Sequence, residues 1–192
     1  MIIRNTNNFI TKNFKESEFY STSPDRPAEH YLNDNLPEIV QHIRDVVGVP
    51  IKITSSFRTS AHQYSLFLAG LTSTTKSTHT DGDAIDCKLL QSSEEHLTWI
   101  QNQIFERGPF YDDLYALGLR GFGYYDTFIH LDCREGSEFK TWDNRSKAVK
   151  ERRSQGTTFA PQNFSEDGSH RNPELKSRLL AIGLVYAVFK YL

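Results

Sequence analysis

Cysteine is scarce in this chain of 192 residues, which holds only Cys87 and Cys133 beside a single methionine. Two thiols cannot build a four-thiolate zinc site, and these two lack the CxxC spacing of a redox centre. An excess of either charge is also missing. Lys and Arg number 22 against 24 Asp and Glu, a formal net charge of -2. No overall basic field therefore draws the protein to phosphate backbones, and no nucleic-acid partner is expected. Met1 to Asn8 contain no apolar run that could serve as the core of a signal peptide, so conventional secretion is not expected either. The most hydrophobic stretch, Leu179 to Leu192, holds Lys190 and falls short of the roughly 20 apolar residues that a spanning helix needs.

What is present suits a folded chain. Hydrophobic residues make up 38% of it, and 13 Phe with 9 Tyr supply bulk that disordered chains lack. The length allows one ordinary domain with a substantial core and a small appendage. Pro37 to Val47 place Ile39, Val40, Ile43, Val46 and Val47 on one helical stripe, with Pro37 near its start and Gly48 just past its end. Ile51 to Ser55 alternates as a half-buried strand does, and Ser60 to Ala69 reads as a short helix closed by Gly70. The polar stretch from Thr72 to Gly82 reads as a loop leading into a strand from Ala84 to Cys87. Ser92 and Glu95 have capping-box spacing ahead of a helix from Ser93 to Phe105. Gly118, Gly121 and Gly123 read as breaks in regular structure. Phe128 to Cys133 reads as a strand with Phe128, His130 and Asp132 on one face.

From Asp143 to Asn172 the chain is polar and lacks hydrophobic periodicity. The sequence thus predicts a domain over 1–142, a polar linker or extension over 143–172 and a hydrophobic helix over 173–192. That last helix is either docked on the domain or in contact with a membrane through Leu179 to Leu192, with Lys176 and Arg178 flanking its start. The predicted architecture is α+β, a small antiparallel sheet carrying the site described next and helices packed around it.

Chemistry concentrates in Ser77-Thr78-His79-Thr80-Asp81-Gly82-Asp83-Ala84-Ile85-Asp86, where an imidazole and a carboxylate stand on either side of a glycine turn. Both are zinc ligands in their deprotonated forms. Gly82 allows the chain to reverse and Ala84 keeps the strand slim, so His79 and Asp86 can meet from loop and strand. His130 lies mid-strand in an apolar run, where an unpaired imidazole is costly. Two His and one Asp leave zinc a position for water. The same residues are also compatible with a structural histidine beside a solvated acidic turn, or with a poor calcium loop.

Several motifs in one order reduce that ambiguity. Ser77-x-His79-x-x-Gly82-x-Ala84-x-Asp86, then Gly121-Phe122-Gly123-Tyr124-Tyr125, then His130-x-Asp132 resemble the zinc D-Ala-D-Ala carboxypeptidase and peptidoglycan endopeptidase family, whose fold hedgehog signalling domains share. Phe14 to Phe19 and Ile53 to Arg58 extend the resemblance over roughly residues 14 to 142. It implies Zn2+ bound by His79, Asp86 and His130, with a peptidoglycan stem peptide as substrate. It also implies that Arg58 contacts the substrate carbonyl as negative charge develops and that Ser77 helps to orient substrate. Trp142 either walls the cleft or packs at the domain's end.

One role does not carry over. Many relatives place the catalytic carboxylate three residues before the last histidine, where this chain has Thr127. Asp132, on the same strand face as His130, is the preferred base, with a role behind a bound histidine as its alternative. Asp126 is the other candidate. Cys87 and Cys133 fall on the face opposite the metal, either as neighbours able to pair or as free thiols in the core. A small wall hydrolase of this kind fits a bacteriophage lysin, made in the cytoplasm and acting on the cell wall after lysis or from the virion. The competing expectations are a zinc-containing wall-binding module without turnover and a membrane-anchored structural component of a virion.

Overall fold

The computed structural model describes residues 1–91, 94–154 and 159–162. Its first secondary element is a short antiparallel pair, β1 (Ile2–Arg4) and β2 (Glu29–Tyr31). Helix α1 (Asn35–Val47) follows, starting two residues earlier than its apolar stripe implies. It buries Leu36, Ile39, Val40, Ile43, Val46 and Val47 and ends where Gly48 takes a left-handed φ of 77°. Strand β3 (Ile51–Ser55) occupies the residues expected of it, and α2 (Ser60–Leu68) is capped by Thr59, whose hydroxyl accepts the N–H of His62.

Strand β4 (Ala84–Leu89), helix α3 (Glu94–Phe105) and helix α4 (Pro109–Ala116) lead to β5 (Gly121–Tyr124), β6 (Ile129–Asp132), β7 (Lys140–Asp143) and helix α5 (Lys147–Arg153). Five strands form the main sheet in the order β3-β4-β6-β5-β7. The sheet is not wholly antiparallel as expected, because β7 returns to the edge parallel to β5. One face of it, carrying Ile85, Cys87, Phe122, Tyr124, Ile129 and Leu131, joins α1, α3 and α4 in a single buried cluster. That packing leaves the other face for the site.

Two sequence expectations are corrected here. Gly121 and Gly123 do not interrupt regular structure but alternate with Phe122 and Tyr124 through β5, whereas Gly118, at a φ of 101°, does mark a turn. The aromatic positions face the helices, and the glycines keep the opposite face bare. The polar stretch expected from Asp143 also begins as ordered structure. Ser146 caps α5 by accepting the N–H of Val149. Arg153 fastens that helix to Glu94 at 2.6 Å and to the carbonyl of Asp126 at 3.0 Å. Charged anchors such as these lack the hydrophobic periodicity by which helices are recognised in sequence. The predicted C-terminal hydrophobic helix lies outside the described residues. Among the described residues no helix is long and apolar enough to cross a membrane.

Candidate metal centre and its cleft

Strand register creates a transverse row of residues on the open face of the sheet. Ser55 pairs with Asp86, Asp86 with His130, His130 with Gly123, and Gly123 with Trp142, so one line crosses all five strands. Because paired residues project to the same side, Asp86 and His130 are side by side. A bulge in β3 between Ile53 and Ser55 shifts the register so that Ser55, and not Thr54, stands opposite Asp86. The third member, His79, arrives from the loop. Its carbonyl accepts the N–H of Arg58 at 3.0 Å, and the turn behind it closes through Gly82, which has a φ of 77°. A side-chain carbon at Gly82 would lie 2.4 Å from the carbonyl oxygen of Tyr31, so close packing against β2 requires glycine there.

His79, Asp86 and His130 each offer a ligand atom, and these atoms lie within 4.8 Å of one another. Asp86 Oδ1 stands 2.8 Å from His130 Nδ1 and 3.3 Å from His79 Nε2. The far nitrogen of each ring is fixed from behind. His79 Nδ1 lies 2.6 Å from the carbonyl of Ser56, which as an acceptor places the proton on Nδ1 and leaves Nε2 a bare lone pair. That Nε2 is buried and has no hydrogen-bond partner. His130 Nε2 lies 3.3 Å from Asp132 Oδ2. The donor set fits a divalent metal ion, because it comprises two imidazoles, one carboxylate and an orphaned buried nitrogen among them.

Electrostatics agree with this geometry. Burial lowers the pKa of His79, keeping the imidazole in its ligating neutral form. Burial alone would raise Asp86, but His79 and His130 outweigh it and hold the carboxyl far below the usual carboxylate range. For His130 burial acts downward, while Asp132 and Asp86 raise the pKa above the ordinary value. A bound cation would substitute for the proton that these carboxylates attract.

The other expected site residues divide into those in the cleft and those outside it. A cleft of about 630 Å³ is lined by Arg58, Ser77, Tyr125, Phe128, Trp142 and Asn144 together with the triad and the loop at residues 70–74. Arg58 donates to Asp86 Oδ2 at 2.8 Å, and its Nε donates to Ser55. Ser77 lines the cleft, and its hydroxyl accepts the N–H of His79. The Trp142 indole tilts over His130 with ring centroids 5.1 Å apart.

Neither carboxylate considered as a base lines that cleft. Asp132 is fully buried behind His130, and Arg134 holds both its oxygens, with Nε at 2.7 Å and Nη2 at 2.5 Å. Burial opposes ionisation there, but Arg134 and His130 overcome it and hold the Asp132 pKa at about 2. Asp126 is exposed and accepts the N–H of Ser146 at 2.7 Å, which fixes the start of α5. Of the two positions that the sequence allows for Asp132, it occupies the one behind a ligand, against the ring of His130. Sequence spacing pointed to the correct strand face but not to the depth on that face.

Cys87 and Cys133 are both free and buried. They lie on the expected face but not next to each other. Cys87 pairs in register with Ile129, and Cys133, four residues along the strand, bonds back to Asp83. At about 3.3 Å per residue their separation is far too great for a disulfide.

Four contributors received no site role from the sequence, although Ser56 and Tyr125 stand within its motifs. The role of Ser56, whose carbonyl fixes His79, could not be read, because any residue type provides a carbonyl. Arg134 was recoverable from its spacing two residues after Asp132, which puts the two side chains on one face of an extended chain. Tyr125 and Asn144 become cleft residues only because β7 lies beside β5.

A helix-backed sheet whose bare face presents a His–Asp–His triad in a cleft defines an α+β protein with a donor set that could hold a metal ion. The chain matches the Peptidase M15 family model over residues 8–132 and belongs to that family. No curated protein and no solved structure matches it.

Proposed function

We propose that this protein is a zinc-dependent peptidase that hydrolyses a peptide bond in the stem peptides of bacterial cell wall, as a D-Ala-D-Ala carboxypeptidase or an endopeptidase. Membership of the Peptidase M15 family supports the reaction class. The observation that carries the proposal is the buried Nε2 of His79, which has no hydrogen-bond partner and whose lone pair converges with ligand atoms of Asp86 and His130. Zinc bound there would supply a water of lowered pKa and an electrophile for the scissile carbonyl.

The chain's own residues account for the rest of the arrangement. The Ser56 carbonyl and the Asp132 carboxylate each hold one histidine ring by its outer nitrogen, so the inner nitrogens keep their direction without reorganisation. Arg134 neutralises Asp132 and prevents an uncompensated buried charge. Arg58 stands at the β3 edge of the cleft with its guanidinium against Asp86, in position to meet negative charge developing on a substrate oxygen.

One observation favours a second reading. Among the described residues, Asp86 is the only carboxylate lining the cleft, so a zinc-containing wall-binding module without turnover is the alternative. Purified protein incubated with cell-wall sacculi, with and without a chelator and after zinc is restored, separates the two. Release of new amino termini or free D-Ala that stops on chelation and returns with zinc supports the peptidase. Zinc-loaded protein that binds sacculi and releases nothing supports the module.

A further inference from the structure

We infer that Tyr125 is a substrate-binding residue of the cleft, its phenolic O–H donating to a neutral backbone carbonyl oxygen of the bound peptide on the side of the triad opposite Arg58. The inference rests on the peptidase proposal and narrows its substrate to an internal stretch of peptide chain, as opposed to a terminal carboxylate.

Two N–H groups converge on the Tyr125 oxygen, Trp142 Nε1 and Asn144 Nδ2, each at 3.2 Å. An indole N–H can only donate, so the phenol oxygen is an acceptor in that bond and its own proton is directed elsewhere. Among the described residues no acceptor takes that proton. The ring is immobilised by stacking on Phe128, with centroids 4.1 Å apart and planes 12° from parallel. Tyr125, Phe128, Trp142 and Asn144 all line the cleft that holds the triad. The result is a fixed hydroxyl whose acceptor capacity is used and whose donor capacity is free, and in a cleft that donor awaits a ligand oxygen.

Topology places this donor across from Arg58. Arg58 follows β3, one edge of the sheet, whereas Tyr125 follows β5, next to the other edge, and the strands bearing Asp86 and His130 run between them. A peptide lying over the triad therefore meets a guanidinium at one end of the cleft and neutral donors at the other. Charge then selects the oxygen. Carboxylates are held by charge-assisted bonds, bidentate where arginine is used. Arg58 is the only cation lining the cleft among the described residues, and its Nη2 is engaged by Asp86 at 2.8 Å. A phenol and an amide match a peptide carbonyl instead.

The test compares zinc-loaded wild type with Tyr125→Phe on two stem peptides that differ only in a free or an amidated C-terminus. Cleavage kinetics are measured alongside calorimetric binding of the same peptides made uncleavable at the scissile bond. The expected variant keeps its zinc content and unfolding temperature. It loses roughly three- to tenfold in kcat/KM and in affinity on both peptides alike, the scale of one hydrogen bond. Unchanged kinetics and binding in the variant overturn the inference, as does a loss confined to the free-carboxylate peptide or a wild type that cleaves only that peptide. A wild type that neither cleaves nor binds either peptide removes the peptidase proposal itself. An active wild type with an indifferent Phe variant removes only the role of Tyr125.

Discussion

Gly121 faces Asp132 across β5 and β6 with no room for a side-chain carbon, since one built there would lie 2.2 Å from Asp132 Oδ2 and 2.4 Å from Oδ1. The carboxylate that steadies His130 occupies the space a side chain would otherwise take. Two strand positions along, a carbon on Gly123 would lie 2.5 Å from the Trp142 indole nitrogen. The bare face of β5 is thus part of the site, and its contents are set by these two absences.

Gly121→Ala should consequently be among the more damaging small substitutions in the protein. Asp132 cannot retreat, because Arg134 grips both its oxygens. We expect a loss of about 1–3 kcal/mol, the usual range for overpacking, together with weaker metal binding. Chemical denaturation and metal titration of the variant measure both. Wild-type values in the two assays would mean that Asp132 has more freedom than its contacts imply.

Replacing His79, Asp86 or His130 with alanine should each abolish stoichiometric metal binding, since two ligands rarely retain an ion that three hold. Replacing His62, on α2 and outside the triad, should leave it intact. Metal content per chain after dialysis against zinc is the measurement. Equal zinc in the His79→Ala and His62→Ala proteins would place the ion somewhere else.

Asp132→Asn should weaken metal affinity by roughly 10- to 100-fold, the effect typical of removing a carboxylate behind a ligating histidine. Asp126→Asn should leave affinity unchanged, because that side chain is exposed and serves only the start of α5. Competition with a chromogenic chelator gives both numbers. Full affinity in Asp132→Asn combined with a hundredfold loss of rate would return Asp132 to the role of base.

His30 should impose a pH dependence on stability. Its Nε2 accepts the N–H of Ser21 at 3.1 Å while Nδ1 lies 3.0 Å from the carbonyl of Tyr31, so the neutral ring is satisfied on both sides. Burial lowers its pKa below the ordinary 6.5. The unfolded chain therefore binds a proton that the folded chain resists, and stability is complete above about pH 6.5 and declines as pH falls below it. Denaturation midpoints from pH 8 to pH 5 should decline more steeply for wild type than for His30→Gln. Parallel curves would show that His30 does not contribute.

Legibility in the sequence varied with how local each cause was. The stripe Ile39, Val40, Ile43, Val46 and Val47 is a property of one segment, and α1 lies where that stripe puts it. Ile51 to Ser55 likewise alternates within itself and forms β3. The glycines of β5 misled because a missing side chain reads as a break until its cross-strand neighbours are known. The helix α5 went unseen because its anchors, Glu94 and the Asp126 carbonyl, come from distant parts of the chain.

The sequence by itself determined the types of side chain available for chemistry, the segments that carry them and the family whose order of motifs they follow. Only the tertiary structure decided which of those side chains meet. It set Asp86 beside His130, brought His79 in from a loop, placed Asp132 behind the site instead of in it, and separated two cysteines that share a face. The physical reason is that residue type and periodicity are carried by neighbours along the chain. Register, depth and the space left by glycine are fixed by strands that meet only after folding.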